Sequence, residues 1–103
     1  MNDEPPLTIA RFQDMIRRRY EKTDRARGTP GTFMWFIEEV GELATALQKA
    51  AGQGRETSGS ADLEQEFADV LAWLCTLANI NDIDLAQAVR KKYLAGGGPE
   101  GHK

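Results

Sequence analysis

The chain has 103 residues, of which 41% are hydrophobic and 28% charged, and its formal net charge is −3 at pH 7. This length predicts one domain with a modest core, and no apolar run is long enough to cross a bilayer. The only cysteine, Cys75, excludes an intrachain disulfide; with no signal-peptide pattern around Leu7, a reducing cytoplasm is the expected location.

Basic residues are concentrated early in the chain. Seven of them lie between Arg11 and Arg27 against three acidic residues, whereas the rest of the chain is acidic. Such a segment is typical of a nucleic-acid footprint, a phosphate-binding edge or a solvated helix face. Because the remainder is acidic and no ladder of aromatic residues accompanies the basic ones, nucleic-acid binding is the least favoured of the three.

The hydrophobic spacing predicts four helices and no strand. The first helix begins after Thr8, whose hydroxyl can cap it, and it has an apolar side near the 3.6-residue period. That side consists of Ile9, Phe12, Ile16 and Tyr20. Residues 26–31 predict a break, in which Thr29 offers a capping hydroxyl and Pro30 suits the first turn of the next helix.

The second and third helices are predicted from about Pro30 to Ala51 and from about Ala61 to Ile80, with a loop at residues 52–60 between them. The apolar stripe of the second helix consists of Phe33, Phe36, Ile37, Val40, Leu43, Ala44 and Leu47. The side of the third helix that is expected to face a core consists of Leu63, Phe67, Val70, Leu71, Leu74 and Leu77.

A short fourth helix is predicted from about Asp84 to Leu94, with Asn81 and Asp82 as the residues that end the third helix and cap the fourth. The glycine and proline run at residues 96–99 ends this last helix. We therefore expect residues 1–95 to form a single all-α domain, a four-helix bundle-like subunit, followed by a flexible Gly-rich tail at 96–103.

Three glutamates lie within five residues of the second helix, at Glu38, Glu39 and Glu42. At about 100° per residue, Glu38 falls opposite the apolar stripe. Glu39 and Glu42 fall at the margin of the stripe and stack on one edge because they are three residues apart. Trp35, four residues before Glu39, shares that edge.

The third helix repeats the arrangement with Glu66 and Asp69, again three residues apart at the margin of an apolar side. Trp73 lies four residues after Asp69 and extends the edge, and Asp62 can prolong the acidic row. If the two helices pack antiparallel, the acidic edges face each other and bring four carboxylates to one point, with an indole at each end.

Carboxylates crowded at a half-buried seam raise one another's pKa, so some of them must be protonated, point outward or be neutralised by a cation. Oxygen ligands with no histidine nearby match Mg²⁺, with Mn²⁺ as a substitute, rather than zinc or copper. The pattern by itself leaves open that these acids are simply solvated helix margins.

The two acidic motifs, EEVGEL at residues 38–43 and EFADVL at residues 66–71, resemble the paired motif of the MazG-like all-α nucleotide pyrophosphohydrolases. The resemblance extends from about Thr32 to Tyr93 and includes Gly41 inside the first motif. It implies hydrolysis of a nucleoside triphosphate between the α- and β-phosphates, which gives a monophosphate and pyrophosphate.

Carried over residue by residue, the resemblance implies that Mg²⁺ is bound by Glu39, Glu42, Glu66 and Asp69. Glu38 matches an additional acid that many members place before the first ligand. A carboxylate that coordination does not fully use can accept the proton of the attacking water, and Glu38 and Glu42 are the candidates for this catalytic role.

Substrate contacts are expected from two further pairs of residues. Trp35 and Trp73 are candidates for stacking on a base, although plain packing is the more common use of an indole near a helix seam. In the family a lysine on the last helix often meets phosphate, which Lys91 and Lys92 can supply. An asparagine usually follows one turn later, and this sequence departs from that pattern at Gly96.

Four helices of this length leave apolar surface uncovered, so a monomer is not expected. The resemblance implies a homodimer or homotetramer with active sites near subunit contacts. Two alternatives stay open: a non-catalytic helical interaction module whose acids are solubilising, and a phosphoribosyl-ATP pyrophosphohydrolase of the same superfamily.

Overall fold

The computed structural model describes residues 4–52 and 57–94, and within these ranges the chain is helical with no strand. We number the helices α1 (Ile9–Gly52), α2 (Thr57–Ile80) and α3 (Leu85–Val89), and a π-helical turn at Arg90–Leu94 follows α3. The predicted all-α class is confirmed. The described residues contain three helices, so the predicted four-helix bundle-like subunit is not confirmed.

Helix α1 consists of two helical segments that meet at Gly28, whose backbone has φ 80° and ψ 173°. We call residues 9–27 the N-terminal arm and residues 29–52 the acidic segment. The break lies inside the predicted 26–31 interval, and Pro30 falls in the first turn of the acidic segment, where its missing N–H costs no hydrogen bond. The Thr8 hydroxyl accepts a hydrogen bond from the Arg11 N–H at 3.1 Å, which confirms the predicted cap.

The acidic segment packs antiparallel against α2. Trp35, near its start, contacts Trp73 near the end of α2, whereas Glu39 and Glu42 lie beside Glu66, which is earlier in α2. The order of contacts along one segment is therefore the reverse of the order along the other. This arrangement confirms the predicted antiparallel hairpin, in which the two acidic helix edges face each other.

One predicted helix boundary is wrong. The loop was expected to extend to Ser60, but α2 begins at Thr57, while residues 53–56 lie outside the described part of the chain. The last helix was expected to continue to Leu94, and helical conformation does continue to Leu94, with a π-helical turn at Arg90–Leu94 after the α-helical Leu85–Val89. The expected tail at 96–103 lies outside the described residues.

The cap of α3 is Asp84 and not the predicted Asp82. The Asp84 carboxylate accepts a hydrogen bond from the Gln87 N–H at 3.1 Å. Asp82 has a positive φ of 57°, and its side chain instead forms an ion pair with Arg25 of the N-terminal arm at 2.9 Å. Asp82, which the local pattern suggested as a cap, therefore makes a tertiary contact with Arg25 instead.

A buried glutamine ties the turn after α2 to the N-terminal arm. The side-chain amide of Gln13 donates to Asn79 Oδ1 at 2.9 Å and to the carbonyl of Ile83 at 2.7 Å. Its oxygen accepts from the Leu85 N–H at 3.0 Å. Gln13 and Asn79 are both buried, and these bonds satisfy polar groups that would otherwise be costly to remove from water.

The hydrophobic core of the single chain is small. Among the described residues, the buried hydrophobic side chains are Ile16, Ala46, Cys75 and Ala78. The expected burial of Phe67, Leu71 and Leu74 is wrong for one chain, because all three are exposed. The N-terminal arm bonds to the neighbouring side of α2, and its first turn lines a cavity with Leu71, but this contact leaves all three side chains exposed. No helix in residues 4–52 and 57–94 has the length and apolar character of a membrane span.

Replacing Gly28 with alanine is expected to destabilise the fold. The φ and ψ of this residue lie in a region that only glycine adopts readily, and a side chain there costs about 1–3 kcal/mol. We expect the free energy of unfolding, measured by chemical denaturation, to fall by about that amount.

The matched control is Gly41→Ala in the same helix. A methyl group at Gly41 meets nothing within 4 Å, and alanine is favoured over glycine in a helix interior by about 0.5–1 kcal/mol. A Gly28→Ala protein as stable as the Gly41→Ala protein would contradict the assignment of strain to the break.

Candidate metal centre

Three carboxylates converge at the seam between the acidic segment and α2. Glu39, Glu42 and Glu66 each place one carboxylate oxygen so that the three atoms lie within 4.8 Å of one another. We call these residues the acidic cluster. The two glutamates of the acidic segment share a helix edge because they are three residues apart, and the antiparallel packing adds Glu66 from α2.

Two oxygens of the acidic cluster are buried without a hydrogen-bond partner. They are the Oε1 atoms of Glu39 and Glu66, and both side chains are half-buried. Glu42 is exposed. A buried carboxylate oxygen without a donor or a cation is costly, because it has lost water and gained no replacement. The two oxygens are therefore suited to a positively charged ligand.

Burial and like charge raise the pKa of two members of the acidic cluster. The pKa of Glu39 is raised first by burial and then by the charges of Glu42, Asp69 and Glu66. The pKa of Glu66 is also raised first by burial and then by Glu42 and Asp69, with a smaller contribution from Asp62. Both carboxyl groups thus resist ionisation in the isolated fold, and a cation at this point would reverse that effect.

Of the five predicted site acids, the structure brings only Glu39, Glu42 and Glu66 into one group. Asp69 is outside the group of three, although its charge acts on both Glu39 and Glu66 and its side chain lines an adjacent cavity. Glu38 is exposed, as its position opposite the apolar stripe predicts. The sequence pattern therefore separates Glu38 from the seam correctly, whereas it does not distinguish Asp69 from the other three acids.

The two tryptophans stack on each other. The ring centroids of Trp35 and Trp73 are 6.0 Å apart and the ring planes differ by 11°. The expectation of one indole at each end of the acids is wrong. Trp35 precedes Glu39 by four residues, and Trp73 follows Asp69 by four residues. Because the two helices are antiparallel, both indoles lie at the same end of the acidic cluster. We call them the tryptophan pair.

The structure places an arginine beside the tryptophan pair that the sequence pattern did not single out. The guanidinium carbon of Arg27 lies 5.0 Å from the ring centroid of Trp73, and Nη2 pairs with Asp24 Oδ1 at 2.6 Å. Arg27 is one of seven basic residues in its segment, and only the three-residue spacing from Asp24 hinted at a pairing. Its contact with Trp73 depends on how the N-terminal arm crosses α2.

The two lysines expected to contact phosphate form no ion pair with the acidic cluster in the part of the chain that the structure describes. Lys91 and Lys92 are exposed in the π-helical turn, where the Lys92 amine lies 5.7 Å from the Tyr93 ring centroid. Among the described residues, no ion pair joins either lysine to the acidic cluster. Arg17 and Arg18 both pair with Asp14 on the exposed side of the N-terminal arm.

The donor set of the acidic cluster fits a hard divalent cation. It offers carboxylate oxygens alone, and two of them are buried with nothing else to bind. Such a set suits Mg²⁺, Mn²⁺ or Ca²⁺ and does not suit a metal that prefers nitrogen or sulfur ligands. Glu39, Glu42 and Glu66 are the residues that would hold the ion, with Asp69 beside them.

The described architecture is an all-α hairpin with a carboxylate site at its seam. The model of the MazG nucleotide pyrophosphohydrolase domain matches residues 29–93, which is more than half of the chain. The chain therefore belongs to the MazG nucleotide pyrophosphohydrolase family. The matched region begins one residue after the break at Gly28, so it includes the acidic segment and α2 and omits the N-terminal arm. A search of curated proteins gave no match.

Without metal, Glu39→Gln is expected to stabilise the protein at neutral pH. Because the folded-state pKa of Glu39 is raised above its ordinary value of 4.5, Glu39 favours the folded state most at a pH below 4.5. That contribution is lost as the pH rises through the raised folded-state pKa. The stability difference between Glu39→Gln and the unmodified protein should therefore grow in favour of Glu39→Gln as the pH rises from acid to neutral, measured by thermal unfolding in a chelator.

Glu38→Gln is the matched control because it removes the same charge one residue away on the exposed side of the helix. Its stability difference should depend much less on pH. Equal pH dependence for the two variants would contradict the assignment of unfavourable burial to Glu39.

Proposed function

We propose that this protein is a Mg²⁺-dependent nucleoside triphosphate pyrophosphohydrolase that cleaves between the α- and β-phosphates and releases a nucleoside monophosphate and pyrophosphate. The observation that carries the proposal is the acidic cluster, with its two buried, unpartnered carboxylate oxygens. Membership in the MazG family supports the general class of reaction, which is hydrolysis of a nucleotide pyrophosphate bond.

In this proposal Glu39, Glu42 and Glu66 bind the cation, and Asp69 completes the ligand set from the next turn of α2. When bound, Mg²⁺ supplies positive charge for the phosphate oxygens and lowers the pKa of a coordinated water. The buried oxygens of Glu39 and Glu66 are the most suitable permanent ligands, because water does not compete well for them.

A carboxylate that is free to accept a proton is also needed for attack by water. Glu42 is exposed within the acidic cluster, and Glu38 is exposed beside Glu39. Either of them can accept the proton from the attacking water on the solvent side of the site. The buried oxygen of Glu39 is less suitable, because a ligand held in the seam cannot move toward the water.

Substrate contacts are proposed on the side of the tryptophan pair. Trp35 is half exposed, so its ring offers apolar surface to a base or ribose near the acidic cluster. Lys91 and Lys92 stay candidates for phosphate contacts only if another copy of the chain brings them to the site. A cytoplasmic location, where triphosphates and Mg²⁺ are abundant, is part of the proposal.

We also propose that the active form is a homodimer or homotetramer. The single chain exposes large apolar side chains on both helices of the hairpin, and 54% of Phe67 is accessible to water. The exposed apolar side chains of the hairpin include Phe33, Met34, Ile37, Phe67, Leu71 and Leu74. A second copy that packs against this face would bury them, as the interfaces of obligate dimers do.

The decisive activity test is pyrophosphate release with Mg²⁺ across a panel of canonical, deoxy and modified nucleoside triphosphates. We expect release from at least one of them, and Glu39→Gln should lower kcat/KM by about 100-fold or more, since loss of an outer contact to a metal ligand already costs about 10–100-fold. Phosphoribosyl-ATP is included, because preferential cleavage of it would assign the related superfamily activity instead.

Metal binding is measured in parallel by thermal unfolding. Saturation at about 10 times Kd stabilises a folded protein by about 1.4 kcal/mol, so added Mg²⁺ should raise the Tm by several degrees. Glu39→Gln should abolish that rise, whereas Glu64→Gln, an exposed acid of α2 outside the acidic cluster, should keep it. No release from any substrate together with a flat response to Mg²⁺ would leave a helical interaction module as the function.

Phe67→Glu is expected to dissociate the oligomer. The substitution places a charge on the exposed apolar face without removing a buried contact of the single chain. Light scattering after size exclusion should report a dimer or tetramer for the unmodified protein and a folded monomer for Phe67→Glu. Arg19→Glu, on the exposed side of the N-terminal arm, should leave the mass unchanged. A monomeric unmodified protein would refute the proposed assembly.

A further inference from the structure

A cavity of about 390 Å³ lies between the N-terminal arm and α2, next to the acidic cluster. Tyr20 and Arg27 line it from the arm, and Asp69 and Trp73 line it from α2. Asp69 thus connects this cavity with the proposed metal site. The volume is within the range of small-molecule sites, and the walls combine apolar and aromatic surface with a few polar groups. The residues of the N-terminal arm that line this cavity lie before residue 29, where the family match begins.

Arg27 is held in one orientation within this cavity. Its guanidinium carbon lies 5.0 Å from the centroid of Trp73, and Nη2 pairs with Asp24 at 2.6 Å. Its methylene groups pass close to Gly31, where a Cβ atom would lie 2.9 Å from Cγ. A guanidinium fixed on an aromatic face and by a buried carboxylate loses little entropy when it binds a ligand.

The charge of Arg27 is already compensated. Asp24 is only 4% exposed, and its second oxygen accepts a hydrogen bond from the Thr76 hydroxyl at 3.2 Å. The Nε atom of Arg27 is buried and does not reach the cavity, but the Arg27 side chain as a whole is 21% exposed. The pair therefore offers a site with no net charge, whose donors are the terminal N–H groups of Arg27 that Asp24 does not use.

We propose that this cavity receives the base of the nucleotide and that Arg27 donates a hydrogen bond to an acceptor on its ring, which makes Arg27 a residue that determines base selectivity. The inference rests on the proposed function, because the polyphosphate is placed at the acidic cluster on the other side of Asp69. A flat, neutral ring with acceptor atoms suits a neutral donor site beside an indole.

A phosphate suits the cavity less well. Asp24 already offsets the positive charge of Arg27, so the pair as a whole gives a phosphate no net electrostatic attraction. The apolar walls contributed by Ile16 and Ala72 would also desolvate a phosphate without replacing its water. The same walls favour an aromatic ring.

The test compares binding of nucleoside α,β-imidotriphosphates with each of the common bases against binding of inorganic triphosphate, both with Mg²⁺, by calorimetry on the full chain. Arg27→Met should weaken binding of the preferred nucleotide analogue by about 10–100-fold, which is the effect of losing a hydrogen bond from a charged donor. It should also reduce the differences among bases. Affinity for inorganic triphosphate should stay unchanged.

Two further variants keep the test decisive. Arg19→Met removes the same charge from an exposed position of the same arm and should bind every ligand as the unmodified protein does. Arg27→Met leaves Asp24 buried and unpaired, so the double variant Asp24→Asn/Arg27→Met is used if the single variant fails to fold. Because the Asp24→Asn change keeps an acceptor oxygen for the Thr76 hydroxyl, the double variant is expected to fold and to show the same loss.

Two outcomes would overturn the inference while the proposed function stands. An equal loss of affinity for inorganic triphosphate would make Arg27 a phosphate ligand. Unchanged affinity for every nucleotide analogue would make it a purely structural residue. If the unmodified protein bound neither Mg²⁺ nor any triphosphate, the proposed function itself would fail, and this inference with it.

Discussion

Mutual repulsion among carboxylates at the seam of the hairpin is the constraint on which the rest of the structure depends. Glu39, Glu42 and Glu66 are close enough to share one cation, and burial together with neighbouring like charge raises the pKa of Glu39 and of Glu66. The chain holds them together with contacts made elsewhere. The tryptophan pair joins the two helices one turn away, and the bonds of Gln13 fix the far end of α2 to the N-terminal arm. A site of this kind is a local weakness that the surrounding packing must offset.

The N-terminal arm lies outside the region that the family match covers, yet it contributes to both stability and the surroundings of the site. Its Gln13 and Asp24 are bonded to the buried Asn79 and Thr76 of α2. The same arm places Arg27 on the face of Trp73. The matched region therefore includes the acidic cluster, whereas the cavity beside it is built in part from residues that the match does not include.

The small core and the exposed apolar face have one origin. Helices that are apolar over a wide stripe need neighbours on two sides, and the single chain supplies the arm on only one of them. On the uncovered side, Phe67, Leu71 and Leu74 stay in contact with water. A proposed second copy accounts for this face and for the family's expected assembly at once. It would also place residues of another chain close to the acidic cluster, because Phe67 follows Glu66 directly.

The sequence by itself determined the features that depend on neighbours within one helical turn. The Thr8 cap, the break near Gly28 and the edge shared by Glu39 and Glu42 follow from local spacing, as does the exposure of Glu38. The tertiary structure alone decided which residues meet across the hairpin. These contacts are the stack of Trp35 on Trp73, the ion pair of Asp82 with Arg25 and the position of Arg27 over the Trp73 ring. Helical periodicity gives the angle of a side chain around its own axis, but such contacts also depend on how two helices cross and on which face remains uncovered.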